Sequence, residues 1–294
     1  MSAVDFKQVD VFTSVAFKGN PVAVLLEADG LTTEQMQRIA NWTNLSETTF
    51  VLRPTRPGAD YRVRIFTPQS ELPFAGHPTL GTAHALLEAG RITPDGGGEL
   101  VQECGAGLVK LRVSPSSGAS PVISFTLPEP SLTALTAEQV DDLESILGAS
   151  IRREPVPKLV NVGPVWTIVQ LASAKDVLGL TPDFARMAAF DKRNKSIGVV
   201  VYGAHVRGGT ADIETRAFAP SVGVNEDPVC GSGNGAVAAF IRDAGQVRDF
   251  GLAYVSAQGG CVGRDGKLYV AFEGDSAILV GGQSVTCING TIAV

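Results

Sequence analysis

The chain repeats its own plan once, and a duplication of this length leaves few folds open. The first half opens with the alternating run Phe6 to Phe12, then Gly19-Asn20-Pro21 and the apolar run Val22 to Leu26. The second half sets Asn161-Val162-Gly163-Pro164 before Val165 to Val169. A turn signal feeding a β-branched run predicts a strand in both places. A helix follows in each half: Thr32 and Gln35 suit a capping box ahead of Met36, Ile39 and Ala40, and Thr181-Pro182 reads as a start with Pro at the first helical position. The helices end before Asn44-Leu45-Ser46-Glu47 and Asn194-Lys195-Ser196-Ile197, whose shared Asn-x-Ser sets Glu47 against Ile197.

The third echo is the clearest. Arg64-Ile65-Phe66-Thr67-Pro68 precedes His77-Pro78-Thr79-Leu80-Gly81, and Arg216-Ala217-Phe218-Ala219-Pro220 precedes Asp227-Pro228-Val229-Cys230-Gly231. This sets His77 against Asp227 and Leu80 against Cys230. Each segment enters an Ala-rich helix closed by Ala89-Gly90 or Ala244-Gly245, glycines suited to the residue after a helix. A period of roughly 150 residues is far beyond the ~20–50 of solenoid units, so two similar α+β lobes are expected. They span 1–128 and 129–294, with the boundary near Pro128 to Pro130 and the last strand a candidate to pack back on the first lobe. Gly96 to Gly98 and the stretch 114–120 read as loop tips. Leu100 to Val113, Leu252 to Gln258 and Leu268 to Glu273 alternate as strands of mostly antiparallel sheets.

Composition narrows the function. The 294 residues carry a formal charge of −6, and the basic runs are no longer than Arg152-Arg153 and Lys192-Arg193. That argues against a nucleic-acid partner and for a small-molecule substrate. The start has neither a basic n-region nor an apolar h-region, and no segment approaches ~18 apolar residues, so the expected location is cytoplasmic, without membrane insertion. Cys104, Cys230, Cys261 and Cys287 form no C-x-x-C pair and are expected as free thiols. His77, His84 and His205 do not stand at zinc-ligand spacing, so no metal is expected.

In both halves a proline is placed at a helix start, after His77 and after Asp227. Helix N-termini collect unsatisfied N–H groups and partial positive charge, and two of them make a cradle for a carboxylate. Gly231, Ser232 and Gly233 would let a ligand approach the backbone. The same punctuation also occurs at ordinary helix starts, with His77 or Asp227 as plain caps. Glu47 stands in an apolar or small-residue stretch entering a strand. Partial burial there would raise its pKa toward the range of general acid/base catalysis; the alternative is a solvent-facing strand-start residue. Glu71 and Glu226 read as loop charges, and His84 and His205 as structural.

Gly19-Asn20-Pro21, Asn44-Leu45-Ser46-Glu47-Thr48, Arg64-Ile65-Phe66-Thr67-Pro68, Glu71-Leu72-Pro73-Phe74-Ala75-Gly76-His77-Pro78-Thr79 and Glu226-Asp227-Pro228 with Gly231-Ser232 together resemble the phenazine-biosynthesis isomerase (PhzF-like) family over nearly the whole chain. The resemblance implies a diaminopimelate-epimerase-like fold of two pseudo-symmetric lobes, each a mostly antiparallel sheet curled around a central helix, with the site in the cleft between them. It also implies a homodimer, no metal or organic cofactor, and an isomerase moving a proton on a small carboxylate-bearing metabolite. The family's phenazine member acts on trans-2,3-dihydro-3-hydroxyanthranilate through a glutamate matching Glu47. By the same likeness His77 and Asp227 assist proton transfer, and Asn20, Gly76, Gly231 and Ser232 hold the substrate.

Cys230-Gly231-Ser232-Gly233-Asn234-Gly235 also resembles the thiol motif of diaminopimelate epimerases and proline racemases, which use one cysteine from each lobe. No cysteine lies near Leu80, which disfavours a thiol pair. A one-base variant using Cys230 with Glu47 or His77, acting on an amino or hydroxy acid, stays open. So does a non-catalytic binder on the same scaffold.

Overall fold

The computed structural model describes residues 3–115, 120–274 and 276–294, so residues 1 and 2 and most of the loop tip expected at 114–120 lie outside the described residues. It divides into two compact units, Met1–Phe125 with Gly281–Val294, and Thr126–Val280.

The first unit runs β1 (Ala3–Val11), β2 (Asn20–Leu25), α1 (Thr33–Thr43), β3 (Glu47–Leu52), β4 (Tyr61–Phe66), β5 (Glu71–Leu72), α2 (Gly76–Glu88), β6 (Glu99–Cys104), β7 (Gly107–Ser114) and β8 (Val122–Thr126). The second runs β9 (Ser131–Ala134), α3 (Ala137–Leu147), β10 (Lys158–Asn161), β11 (Val165–Gln170), α4 (Ala174–Leu178), α5 (Phe184–Asn194), β12 (Gly198–Ala204), β13 (Ile213–Ala219), β14 (Val224–Asp227), α6 (Gly231–Asp243), α7 (Val247–Phe250), β15 (Ala253–Gln258), β16 (Gly266–Glu273) and β17 (Ala277–Gly282). The terminal β18 (Ser284–Ala293) pairs antiparallel with β1, in the first unit.

The pairing order is the same in both units. β1 and β2 are antiparallel, β2 and β3 parallel, β3 and β4 antiparallel, and β4 runs parallel to β6 with the short β5 on it. β10, β11, β12, β13, β14 and β15 repeat that scheme. Each parallel pair needs a crossover, and the helices supply it. The inner crossovers, α2 and α6, are buried along nearly their whole length, packed against β1, β2, β3 and β18 or against β10, β11, β12 and β16. A helix buried all round needs small and apolar residues on every face, which the Ala/Gly-rich stretches supply. α1 instead carries one apolar stripe: Met36 and Ala40 pack with Leu25, Phe50 and Phe66 on the outer side. Its capping box, Thr32 with Gln35, is formed as expected. Gly90 and Gly245 follow the inner helices with φ of 65° and 68°.

The ladders correct three sequence matches. Val22 pairs with Glu47, and Trp166 with Gly198, at the opening of the two parallel ladders, so Glu47 corresponds to Gly198 and not to Ile197. A left-handed cap after a helix favours Gly or Asn. In α1 Asn44 takes it with φ 53°, but after α5 Lys195 takes it with φ 54°, while Asn194 stays helical and bonds back to Phe190 O at 2.9 Å. The shared Asn-x-Ser is therefore displaced by one residue. Likewise the inner helices start at Gly76 and Gly231, which sets His77 against Ser232 and Ala75 against Cys230. Ile65↔Leu72 and Ala217↔Asp227 occupy the same place, so Asp227 matches Leu72. The proline cue misled because any first-turn residue tolerates the missing N–H: Pro78 is the third residue of α2, and Pro228 precedes the cap of α6. Pro182, too, lies before its helix, whose cap is Asp183.

Glu71 and Glu226 are not loop charges. Arg64 donates through Nε and Nη2 to Glu71, both at 2.7 Å, and Arg216 does the same to Glu226 at 2.9 and 2.8 Å. Each guanidinium also lies over a phenylalanine, Phe66 at 5.0 Å and Phe218 at 4.9 Å. These bidentate pairs clamp the segment that enters each inner helix. They differ in burial: the side chains are 20% and 40% exposed in the first unit but 7% and 9% in the second. An exposed pair contributes about 0–1 kcal/mol, whereas removing one partner of a buried pair costs roughly 3–5 kcal/mol. In urea unfolding, Glu226→Gln is therefore expected to destabilise the protein several-fold more than Glu71→Gln; equal losses would show that burial does not set the difference.

Candidate active site

In the first unit four of the expected residues gather where α2 begins. Asn20 and Glu47 open the adjacent parallel strands β2 and β3, while Gly76 and His77 are the first two residues of α2. Gly76 leaves no room for a side chain, since a Cβ there would stand 2.9 Å from Phe125 Cζ. His77 Nε2 lies 3.3 Å from Glu47 Oε2, with only 9% and 15% of the two side chains exposed. Burial holds the imidazole neutral by depressing its pKa to about 3, although its hydrogen bond to the Pro21 backbone works the other way. Proline offers only a carbonyl, so the bond to Pro21 takes the single N–H of the neutral ring and leaves Nε2 as an acceptor toward Glu47. Nε2 can thus accept from Glu47 when Glu47 is the carboxylic acid. Thr48 and Thr49 behind it are fully buried, and their hydroxyls meet Thr43 at 2.8 Å and Thr82 at 2.9 Å.

In the second unit Asp227, Cys230, Gly231 and Ser232 gather where α6 begins. Burial raises the Asp227 carboxyl to about 6, against hydrogen bonds from the Val229 N–H at 3.0 Å and from the Cys230 side chain. Burial, and next the Asp227 charge, push the Cys230 thiol well above its ordinary range. Cys230 is thus a thiol that donates to Asp227 while its sulfur accepts the Gly233 N–H at 3.3 Å as the helix cap. The nucleophilic or basic form of a cysteine is the thiolate, and this setting disfavours it.

Three residues not singled out from the sequence hold this turn. Gln258 donates to Asp227 O at 2.8 Å and accepts from Cys230 N at 3.1 Å and Asn234 Nδ2 at 2.8 Å. Asn234 also donates to Cys230 O at 2.9 Å, and Thr215 donates to its Oδ1 at 3.3 Å. The available signal was polarity at inward strand and helix positions. Among the described residues no group of three or more His, Cys, Asp or Glu is placed to hold a metal, and no helix is long and apolar enough to cross a membrane. All four cysteines are free.

Comparison with known proteins matches residues 9–290 to the family described as phenazine biosynthesis-like protein. The chain belongs to that family. It is 37% identical to a trans-2,3-dihydro-3-hydroxyanthranilate isomerase of Pseudomonas fluorescens, over 97% of this chain and 98% of the relative. It is 43% identical, over 99% of both chains, to a Schizosaccharomyces pombe protein named antisense-enhancing sequence 1. The crystal structure of a Bacillus anthracis phenazine biosynthesis protein of the PhzF family shares the fold over the full length of both chains, with a TM-score of 0.87 at 24% identity. The chain is therefore an isomerase-family enzyme of PhzF type, built as the α+β fold of two pseudo-symmetric lobes.

The raised Asp227 carboxyl has a readable consequence. A group whose folded pKa, about 6, exceeds its ordinary 3.8 stabilises the fold fully below 3.8 and loses that contribution as pH rises through 6. Asp191, raised by burial to about 7, acts in the same sense, and the depressed His77 acts in the opposite one. Comparing Asp227→Asn with the parent cancels both. Its stability relative to the parent, from urea unfolding, is expected to rise between pH 5 and pH 8 by on the order of 1 kcal/mol. A pH-independent difference would mean that Asp227 titrates normally.

Proposed function

We propose that the protein is a cofactor-independent isomerase that relocates a proton on a small carboxylate-bearing metabolite of the dihydro-hydroxyanthranilate type, with Glu47 as the acid/base. The observation that carries this reading is the pairing of Glu47 with a buried, neutral His77 at the mouth of α2. Glu47 takes a proton from one carbon of the conjugated substrate and, as the carboxylic acid, returns it to another. Proton count and oxidation level are unchanged, so the step calls for no redox partner. His77 Nε2 accepts a hydrogen bond from Glu47 when Glu47 carries the proton. Asp227 is a second carboxyl able to exchange a proton near pH 6. The N–H groups of Gly231 and Ser232 and the start of β2 at Asn20 serve to hold the substrate, its carboxylate facing the helix N-terminus. The name of the yeast relative does not alter this reading, because a net charge of −6 without a long basic run offers little to a phosphate backbone.

Glu47→Gln keeps the shape and removes the base. Turnover of trans-2,3-dihydro-3-hydroxyanthranilate is expected to fall ~10²-fold or more, with little change in affinity. Solvent deuterium should enter the product with the parent enzyme and not with the variant. Unchanged exchange in the purified variant would remove Glu47 from the mechanism.

The thiol reading has its own test. Cys230 matches Ala75 and donates to Asp227, and a serine hydroxyl both caps a helix well and donates a hydrogen bond. Cys230→Ser is expected to keep most activity. A loss of ~10³-fold, the scale of an essential acid/base group, would favour a Cys230-dependent epimerase instead.

A further inference from the structure

The second residue of each inner helix meets a polar side chain from the neighbouring strands. In the first unit His77 meets Glu47. In the second, Ser232 Oγ accepts a hydrogen bond at 3.1 Å from Nε1 of Trp166, on β11. Trp166 is buried, and it pairs in parallel register with Gly198, the counterpart of Glu47. A Cβ on Gly198 would lie 2.8 Å from Trp166 Cζ3 and 2.0 Å from Phe218 O. The indole thus lies against the place that corresponds to the carboxylate, and no second acid/base fits there. What replaces it is a donor whose only polar atom is aimed at Ser232.

We propose that Trp166 is a positioning residue: by occupying one lone pair of Ser232 Oγ, its indole N–H turns the serine hydroxyl outward as a donor to the substrate carboxylate. A hydroxyl has one hydrogen and two lone pairs, and the indole N–H only donates. The Ser232 proton therefore cannot point at Trp166. Its other near neighbour, Cys230 Sγ at 3.7 Å, is a weak acceptor that already takes the Gly233 N–H. Ser232 is the partly exposed residue of an otherwise buried first turn, so the open direction is toward a ligand. The inference rests on the role given to Ser232 above, and Trp166 itself need not touch the substrate.

The exposed Trp42 and the buried Trp166 are the two tryptophans of the chain. A Trp42→Phe background therefore leaves Trp166 as the single indole, whose ¹⁵N–¹H resonance reports the hydrogen bond directly. Ser232→Ala in that background should shift this resonance without any ligand, and an unmoved resonance rejects the contact even if core variants fold poorly. Binding is then read with anthranilate as the carboxylate probe. Ser232→Ala and Trp166→Phe should each weaken it ~10-fold, the scale of one hydrogen bond to a charged group. Because Trp166 acts through Ser232, the double variant should again lose only ~10-fold. Three results overturn the proposal: losses that multiply to ~100-fold, Trp166→Phe binding like its parent, or no saturable binding by the parent. Failure of the proton-transfer reading looks different, since Glu47→Gln would then exchange deuterium like the wild type while the binding cycle stayed as measured.

Discussion

The structure depends on enclosing one helix along nearly its whole length inside each unit. α2 and α6 have no solvent face to spare, so their residues are small or apolar and their polar side chains must be matched within the unit. Thr79 receives Gln102 at 3.0 Å, and Asn234, its counterpart, receives Thr215. Enclosure also dictates where chemistry can happen. A helix that is wrapped along its length offers a ligand only its first turn, where backbone N–H groups lack helical partners. The expected site residues fall at that turn, or at the strand ends beside it, in both units.

The Arg–Glu clamps show what duplication preserved. Arg64 with Glu71 and Arg216 with Glu226 hold the same segment before the same turn, with the same bidentate geometry and the same phenylalanine beneath. The residues that follow have diverged. Leu72 became Asp227 or the reverse, Ala75 stands for Cys230, and His77 for Ser232. Glu47 stands for Gly198, whose lack of a side chain admits Trp166. A frame that is symmetric in backbone thus carries different chemistry at matched positions. The first unit offers a carboxylate with a neutral imidazole, and the second a carboxyl of raised pKa beside a hydroxyl donor.

Electrostatics follows from the same enclosure. His77 is neutral because burial penalises its cation, and Asp227 holds its proton to about pH 6 because burial penalises its anion. Neither shift needs an unusual partner; it needs only a position at the mouth of a helix that is otherwise sealed. Cys230 is pushed in the same direction, and its sulfur serves the helix cap.

Much of this was legible in the chain. The duplication, the α+β class, the capping box at Thr32, the glycines after α2 and α6, and the family motifs around Glu47, His77 and Asp227 are local patterns, and local patterns report backbone geometry. Register is not local. Whether Asn44 matches Asn194 or Lys195, and whether His77 matches Asp227 or Ser232, depends on strand pairs between residues far apart in sequence, where a shift of one residue changes every partner. The same holds for burial. Glu226 reads as a loop charge until the fold sets Arg216 against it, and Trp166 reads as a core aromatic until Gly198 makes room for its ring and Ser232 meets its nitrogen. The sequence by itself determined which segments become strands and helices and which motifs recur; the tertiary structure alone decided which residues correspond, which charges are buried, and which hydroxyl is left to donate, because those properties belong to pairs brought together by the sheet.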